Sequence, residues 1–123
     1  MKKNLAITSA LGAIAIILGA FGAHALKEKL GVDALKSFET GVRYQMYHVI
    51  VLLFVNTYID FSSKTKNTIS WFFFIGILFF SGSLYAITAG GIDPKSIWFI
   101  TPFGGLLLII GWVLMLFNFI KNK

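Results

Sequence analysis

Two histidines and a few amide and hydroxyl side chains are the residues of this sequence that could take part in chemistry. His48 lies three positions after Gln45 and four after Tyr44, which places all three on one face of a helix. Histidine changes charge near neutral pH, so His24 and His48 could relay protons or sense pH, while Tyr and Gln could orient a small polar ligand or a lipid headgroup. The candidate polar cluster consists of His24, Tyr44, Gln45, His48, Ser83, Tyr85 and Thr101.

A structural role for the same side chains is the simpler alternative. Neutral His24 and His48 can pair with a carbonyl or with Gln45 and serve only to fix the register of helices. Metal binding would require a third ligand from the acidic residues of positions 27–43, and their spacing does not favour one. The sequence has no Cys, no Walker loop, no nucleophile elbow and no HExxH motif. We therefore predict no catalytic residue, no metal site and no cofactor.

The composition predicts that lipid surrounds most of this chain. Of 123 residues, 57% are hydrophobic and 16% are aromatic, whereas only 13% are charged, against roughly 25% in an average soluble domain. A mean hydropathy of +0.80 excludes intrinsic disorder and a nucleic-acid-binding tail, and the absence of Cys excludes a disulfide scaffold. A membrane protein of one domain is the class that remains.

Four apolar runs are long enough to cross a bilayer, since about 20 helical residues span a hydrocarbon core of roughly 30 Å. Three of them carry no charge, and the fourth is flanked by Arg43, which can snorkel, and by Asp60, which can lie among headgroups. The expected spans are residues 4–26, 44–61, 69–90 and 97–120. The prediction is an all-α integral membrane four-helix bundle, a single domain over residues 1–123 with short connections between the last three helices.

The segment between the first two spans has a pattern of its own. Over residues 27–43, Leu30, Leu35, Phe38 and Val42 recur at near-helical spacing among charged residues. This pattern predicts a short amphipathic helix at the membrane interface, with Gly41 as the bend into the span. An early, water-exposed extension of the second helix is the alternative.

The charges favour a cytoplasmic location for both termini. With the N-terminus inside, six Lys or Arg residues lie on the inner side and five on the outer side, where Glu28, Asp33 and Glu39 dilute them. The candidate polar cluster then falls in the outer layer. Because the net charge of +6 is spread over the flanks, the expected partners are membrane lipids, with a homo-oligomer as a further possibility and no nucleic acid.

The N-terminus also imitates a secretory signal peptide. Lys2 and Lys3 precede an apolar stretch that ends in the small-residue pattern of positions 23–25. The stretch Leu5–Ala23 has 19 residues, however, and a signal core has roughly 7 to 15. We therefore expect the first span to be retained, which an intact-mass measurement beginning at Met1 would verify.

Small residues mark where helices can approach each other in lipid, because lipid tails give apolar side chains no preference for a neighbouring helix. We expect intramolecular packing at these positions rather than an oligomer interface. Asn56 lies deep in the second span and is expected to bond a neighbouring helix, with no second polar group identified at its level. The predicted packing positions are Gly12, Ala15, Gly19, Gly22, Ala23, Gly82, Ala86, Gly104, Gly105 and Gly111.

The sequence contains four characteristic blocks: residues 19–26, Tyr44-Gln45 with His48, residues 81–85, and residues 101–105 with Gly111-Trp112. In these blocks the chain resembles the YgdD/YwdK family of small multi-pass membrane proteins, and the match covers essentially the whole chain, in order. The resemblance implies four membrane spans, an inner-membrane location in bacteria and no assigned activity, cofactor or catalytic residue.

Two functional hypotheses follow from these residues. The first is a non-enzymatic structural or accessory membrane protein whose polar cluster organises the helices or binds a small ligand. The alternative is a small solute-linked or proton-linked carrier acting as an oligomer, because four short helices enclose little space for a solute path. An enzyme that uses His24 and His48 as acid and base is the least favoured. A water-filled cavity reaching His48 would support a binding site, whereas a layer in which every polar group is paired would count against one.

Overall fold

A computed structural model describes residues 2–121 of the chain, and over these residues the fold is all-α, as predicted, with no strand. Four long helices lie within this range. They are α1 (Lys2–Phe21), α2 (Val32–Thr57), α3 (Ser63–Thr88) and α4 (Ile100–Lys121). Helix α1 continues without interruption into a π-helical turn, Gly22–Leu26, and a 3-10 turn, Pro94–Ser96, precedes α4.

Local chemistry explains where the helices begin. Ser62 caps α3, because its hydroxyl oxygen accepts a hydrogen bond from the Thr65 amide at 3.2 Å. Gly91 follows α3 with a φ of +69°, a backbone conformation that glycine adopts without strain and that reverses the chain. Pro102 lies in the first turn of α4, where its missing N–H would have no helical partner.

Three of the four long helices are apolar and long enough to cross a membrane: Lys2–Leu26, Ser63–Thr88 and Ile100–Lys121. Helix α2 is as long as α3, with 26 residues, or about 39 Å at the usual rise. Its first turns carry Asp33, Lys36, Glu39 and Arg43, which lowers its mean hydropathy. The crossing of α2 therefore stays a prediction.

Residues 27–43 do not form a separate helix. Residues 27–31 form a turn, and from Val32 onward the segment is the beginning of α2, which passes through Gly41 without interruption. The helix therefore does not bend at Gly41, and residues 32–43 extend the second helix, which was the alternative expectation. Helix α2 also ends at Thr57, before the expected end of its span at residue 61, and a short linker joins it to α3, which begins at Ser63.

Extensive packing in the described part of the chain joins neighbours in sequence: α1 contacts α2, α2 contacts α3, and α3 contacts α4. The centre of the core lies between α2, α3 and α4. Its buried apolar members include Leu52, Val55, Ile69, Phe73 and Leu108.

Glycines allow α3 and α4 to approach closely. A Cβ atom on Gly104 would overlap the backbone of Phe79 and Phe80, and one on Gly111 would lie 2.5 Å from Cε1 of Phe73. The sequence reasoning did not include Gly76 of α3, whose Cβ would lie 2.7 Å from Cδ2 of Leu108. The α3–α4 contact therefore depends on positions without side chains on both helices.

The contact of α1 with α2 also uses small residues. A Cβ atom on Gly12 would lie 3.2 Å from Val49, one on Gly19 would lie 3.5 Å from Val42, and one on Gly22 would lie 2.8 Å from the Phe38 ring. Ala15 is buried on the same helix.

The remaining predicted packing positions take less part in helix contacts. Ala23 is exposed, and a Cβ on Gly82 would meet only Leu78 of its own helix, at 4.0 Å. Ala86 is half-buried, while a Cβ on Gly105 would make ordinary contact with the Phe80 ring at 3.6 Å.

Candidate functional site

Gln45 is the most buried member of the candidate polar cluster and connects three helices. Its side-chain amide donates to the backbone carbonyl of Leu11 in α1 at 2.7 Å. Its amide oxygen accepts a hydrogen bond from the Tyr85 hydroxyl of α3 at 2.6 Å. With a side chain only 2% exposed, Gln45 uses both ends of its amide to fix α1 and α3 against α2.

His48 is held through both ring nitrogens. Nδ1 lies 2.7 Å from the Tyr44 carbonyl oxygen, and Nε2 lies 3.0 Å from Nε1 of Trp112 in α4. A carbonyl can only accept and an indole N–H can only donate, so Nδ1 carries the proton and Nε2 offers its lone pair. The imidazole is therefore neutral in this arrangement, and neither nitrogen is free for a metal or a ligand.

The hydroxyl groups of α3 form two further links. Ser83 donates to the Phe80 carbonyl at 2.9 Å and shares a hydrogen bond with the hydroxyl of Thr101 in α4. Ser81, which the candidate cluster omitted, donates to the Gly41 carbonyl of α2 at 2.6 Å. These bonds connect α3 to both of the helices beside it.

The structure does not bring the two histidines together. Gly22, beside His24, packs against Phe38, whereas Gly12 packs against Val49, which follows His48. The ten positions from Gly12 to Gly22 correspond to about 15 Å along α1, so His24 lies at least that far along the helix from the level of His48.

His24 and Tyr44 take little part in the bonding of the cluster. The His24 side chain is exposed on the π-helical turn and makes no hydrogen bond to another described side chain. The Tyr44 side chain is 41% exposed and packs on Phe80 with ring centroids 5.1 Å apart. Only its backbone carbonyl bonds His48.

The position of His48 is measured along its helix. Helix α2 begins at Val32, so His48 lies sixteen positions, or about 24 Å, along it, and its depth in a bilayer stays a prediction. Five members of the candidate polar cluster form three links: Gln45 with Tyr85, Ser83 with Thr101, and His48 with Trp112, which lies outside that cluster.

A second group of polar side chains lies near the other end of the helices, and we call Asn4, Asn56, Asn67 and Ser70 the asparagine cluster. Asn4 donates to the amide oxygens of Asn56 at 3.1 Å and Asn67 at 2.8 Å. Asn56 donates to the Ser70 hydroxyl and to the Leu52 carbonyl, both at 2.9 Å. Helices α1, α2 and α3 are therefore joined here as well.

The sequence reasoning missed the partners of Asn56 for a specific reason. Asn4 was the first residue of the expected first span, and Asn67 preceded the third span, which was expected to begin at residue 69, so neither was placed at the level of Asn56. Thr8, four positions after Asn4, gave a signal of a polar face on α1, and its hydroxyl donates to the Asn4 carbonyl at 2.7 Å.

The pairing of buried polar groups is complete in the part of the chain that the structure describes. Within residues 2–121, every buried side-chain nitrogen or oxygen has a hydrogen-bond partner. No three His, Asp or Glu side chains in this range are grouped so that they could hold a metal ion. The groove beside His48 has a volume of ~230 Å³, and its walls are mainly apolar, formed by residues such as Phe80, Leu108 and Trp112.

Comparison with known proteins shows that the sequence is similar to those of bacterial membrane proteins. Residues 18–105 match the profile of a family described as "Protein of unknown function (DUF423)". No solved structure matches the chain.

Relatives of similar length are found in several bacteria. The chain is 41% identical to a UPF0382 membrane protein of Staphylococcus saprophyticus, over 97% of this chain and 98% of the relative. It is 38% identical to the UPF0382 membrane protein YwdK of Bacillus subtilis, over 98% of each chain. It is 34% identical to the UPF0382 inner membrane protein YgdD of Escherichia coli, over 91% of this chain and 85% of the relative.

Proposed function

The chain belongs to the DUF423 family of membrane proteins of unknown function, and we propose that it is a non-enzymatic structural or accessory protein with four membrane spans. Its buried polar side chains serve to hold the helices in a fixed register. The candidate polar cluster then has a structural role, because each of its buried members already makes a hydrogen bond to a neighbouring residue.

The observation that carries the proposal is the complete pairing of buried polar atoms within residues 2–121. In lipid, apolar surfaces provide no hydrophobic force between helices, so close packing and interhelical hydrogen bonds must supply the association. The side-chain amide of Gln45 makes hydrogen bonds to both α1 and α3, and so does the side-chain amide of Asn56. Side chains bonded in this way hold helices together, and no buried polar atom within residues 2–121 is left without a partner for a substrate to supply.

The proposed location is the bacterial inner membrane, with α2 as the fourth span and both termini in the cytoplasm. The Escherichia coli relative is named an inner membrane protein. Lys2, Lys3, Lys64 and Lys66 lie at the same end of the helices as Lys121, which supports a cytoplasmic position for that end. Arg43 can snorkel along α2 toward the opposite interface.

The direct test is to replace Gln45 by Leu and to measure unfolding in bicelles together with proton flux in liposomes. We expect Gln45→Leu to unfold more easily, because the Leu11 carbonyl and the Tyr85 hydroxyl lose their partners. Tyr47→Leu is the matched control, since Tyr47 is on the same helix, is 53% exposed and makes no side-chain hydrogen bond to a described residue.

The same liposomes separate the carrier alternative from the structural role. A structural protein is expected to give the proton leak of empty liposomes, with or without His48. Flux that the wild type supports and that His48→Ala abolishes without unfolding the protein would contradict the proposal and favour the carrier.

A further inference from the structure

A cavity with a volume of ~730 Å³ lies where α2 and α4 end, far from His48 and more than three times as large as the groove beside it. The linker between α2 and α3 forms part of its wall. Pockets that hold small ligands have volumes of about 300 to 1,000 Å³. The walls include Phe54, Tyr58, Asp60, Phe61, Phe119 and Lys121.

The cavity presents one negative and one positive side chain. Asp60 and Lys121 both line it and both are exposed. No salt bridge joins them, or any other two of the described residues, within 4.0 Å. A ligand that carries both charges could therefore neutralise each of them.

Two features beside the carboxylate of Asp60 favour a cation. Helix α2 ends at Thr57, so its last carbonyl groups and the negative end of its dipole lie close to the carboxylate. The rings of Phe54 and Tyr58 stack with centroids 5.3 Å apart and an interplanar angle of 21°. Aromatic faces of this kind attract ammonium groups.

The rest of the cavity suits a phosphate and an acyl chain. The ammonium group of Lys121 is a strong donor to phosphate oxygens. Phe61 and Phe119 pack with ring centroids 4.9 Å apart and provide an apolar wall. The exposed side chains Leu116, Phe117 and Ile120 continue this apolar surface along α4.

We propose that this cavity binds the headgroup of an aminophospholipid of the phosphatidylethanolamine class. The ammonium group of the lipid lies between Asp60 and the Phe54–Tyr58 pair, its phosphate contacts Lys121, and its acyl chains follow α4. The site goes beyond the proposed structural role, and it depends on the four-span arrangement only in placing the cavity at headgroup level.

The test is lipid binding to the purified full-length chain, followed by native mass spectrometry. Phosphatidylethanolamine and phosphatidylglycerol with identical acyl chains are the two probes. We expect phosphatidylethanolamine to bind about tenfold more tightly, because the anionic glycerol lipid offers no cation to Asp60. Asp60→Asn is expected to remove this preference, Asp60→Glu to retain it, and Lys121→Gln to weaken the binding of both lipids.

The matched control variants remove the same kind of charge at positions outside the cavity. Asp33→Asn lies at the other end of α2, and Lys64→Gln lies at the same end of the molecule as the cavity but outside its walls. Both are expected to keep the wild-type preference. Circular dichroism verifies that each variant is folded.

Equal binding of the two lipids to the wild type would overturn the proposal, as would an Asp60→Asn variant that keeps the preference. Competition by free phosphoethanolamine at the concentration of the lipid would overturn the lipid assignment in favour of a soluble ligand. Cysteine labelling measures the four-span arrangement separately, so a failure of the lipid-binding proposal is distinguishable from a failure of the four-span proposal.

Discussion

At the scale of single residues, the helical spacing of Tyr44, Gln45 and His48 relates them to one face of α2 but does not reveal what that face contacts. Spacing rules relate positions on one helix, whereas the partners of Gln45 and His48 lie on other helices, at Leu11, Tyr85 and Trp112. Trp112 was read as part of a family block and not as a donor. The sequence therefore grouped the buried side chains of Gln45 and His48 with the exposed one of Tyr44, and it could not predict how the buried groups pair.

Removing the indole donor should weaken the link between α2 and α4. In Trp112→Phe, Nε2 of His48 loses the donor that now lies 3.0 Å away, while an aromatic ring remains beside Phe73. We expect a loss of about 1 kcal/mol in the free energy of unfolding, within the range for hydrogen bonds between membrane helices. Equilibrium unfolding in bicelles measures this value.

Trp98→Phe is the control for that experiment, since the Trp98 side chain is 71% exposed and makes no side-chain hydrogen bond to a described residue. Equal stability of the two Phe variants would show that the Trp112–His48 bond contributes nothing.

Asn56→Leu should cost more than the neighbouring substitution Thr57→Val. Asn56 bonds Asn4 and Ser70 on two other helices, whereas the Thr57 hydroxyl bonds only the Leu53 carbonyl of its own helix. The expected difference is about 1 to 2 kcal/mol in the free energy of unfolding. If the two variants unfolded at the same denaturant concentration, the asparagine cluster would have no role in joining the helices.

At the scale of helices, the number and order of the elements were predictable because long apolar runs leave few alternatives in a chain of this composition. The boundaries were less predictable. Polar caps and linkers decide them, so α3 begins at Ser63 after the Ser62 cap rather than at residue 69. The charged first turns of α2 have the pattern of a separate surface helix. Periodicity alone does not reveal that this helix continues through Gly41 into the apolar run.

The contact between α3 and α4 should be the most sensitive to added volume. Gly104→Ala places a methyl group on the backbone of Phe79 and Phe80, so the helices must separate. Overpacking of this kind costs about 1 to 3 kcal/mol. Gly82→Ala, which meets only Leu78 of its own helix at 4.0 Å, should leave stability unchanged or raise it slightly.

Thermal unfolding of the two purified alanine variants measures this difference. An equal decrease in both would mean that helix propensity, rather than the close approach of α3 and α4, determines the result.

At the scale of the whole molecule, the chain has no Cys, so single cysteines can report its arrangement in the membrane. If α2 crosses, a cysteine at Glu28 is on the same side as one at Lys95 and on the opposite side from one at Lys64. We expect a membrane-impermeant maleimide to label Glu28→Cys and Lys95→Cys in intact cells. Lys64→Cys should react only after the membrane is permeabilised.

Labelling of Glu28→Cys and Lys64→Cys from one side would mean that α2 does not cross, and the four-span arrangement would be wrong. Inverted labelling of all three positions would keep the four spans and reverse the orientation of the termini.

The order of helix contacts has a consequence for biosynthesis. Because each helix packs on its neighbours in the sequence, the pair of α1 and α2 can associate while the ribosome is still translating α3. Each later helix then leaves the translocon beside a partner that is already in the bilayer. The bond between Trp112 and His48 joins residues 64 positions apart, so it closes only when nearly the whole nascent chain has been inserted.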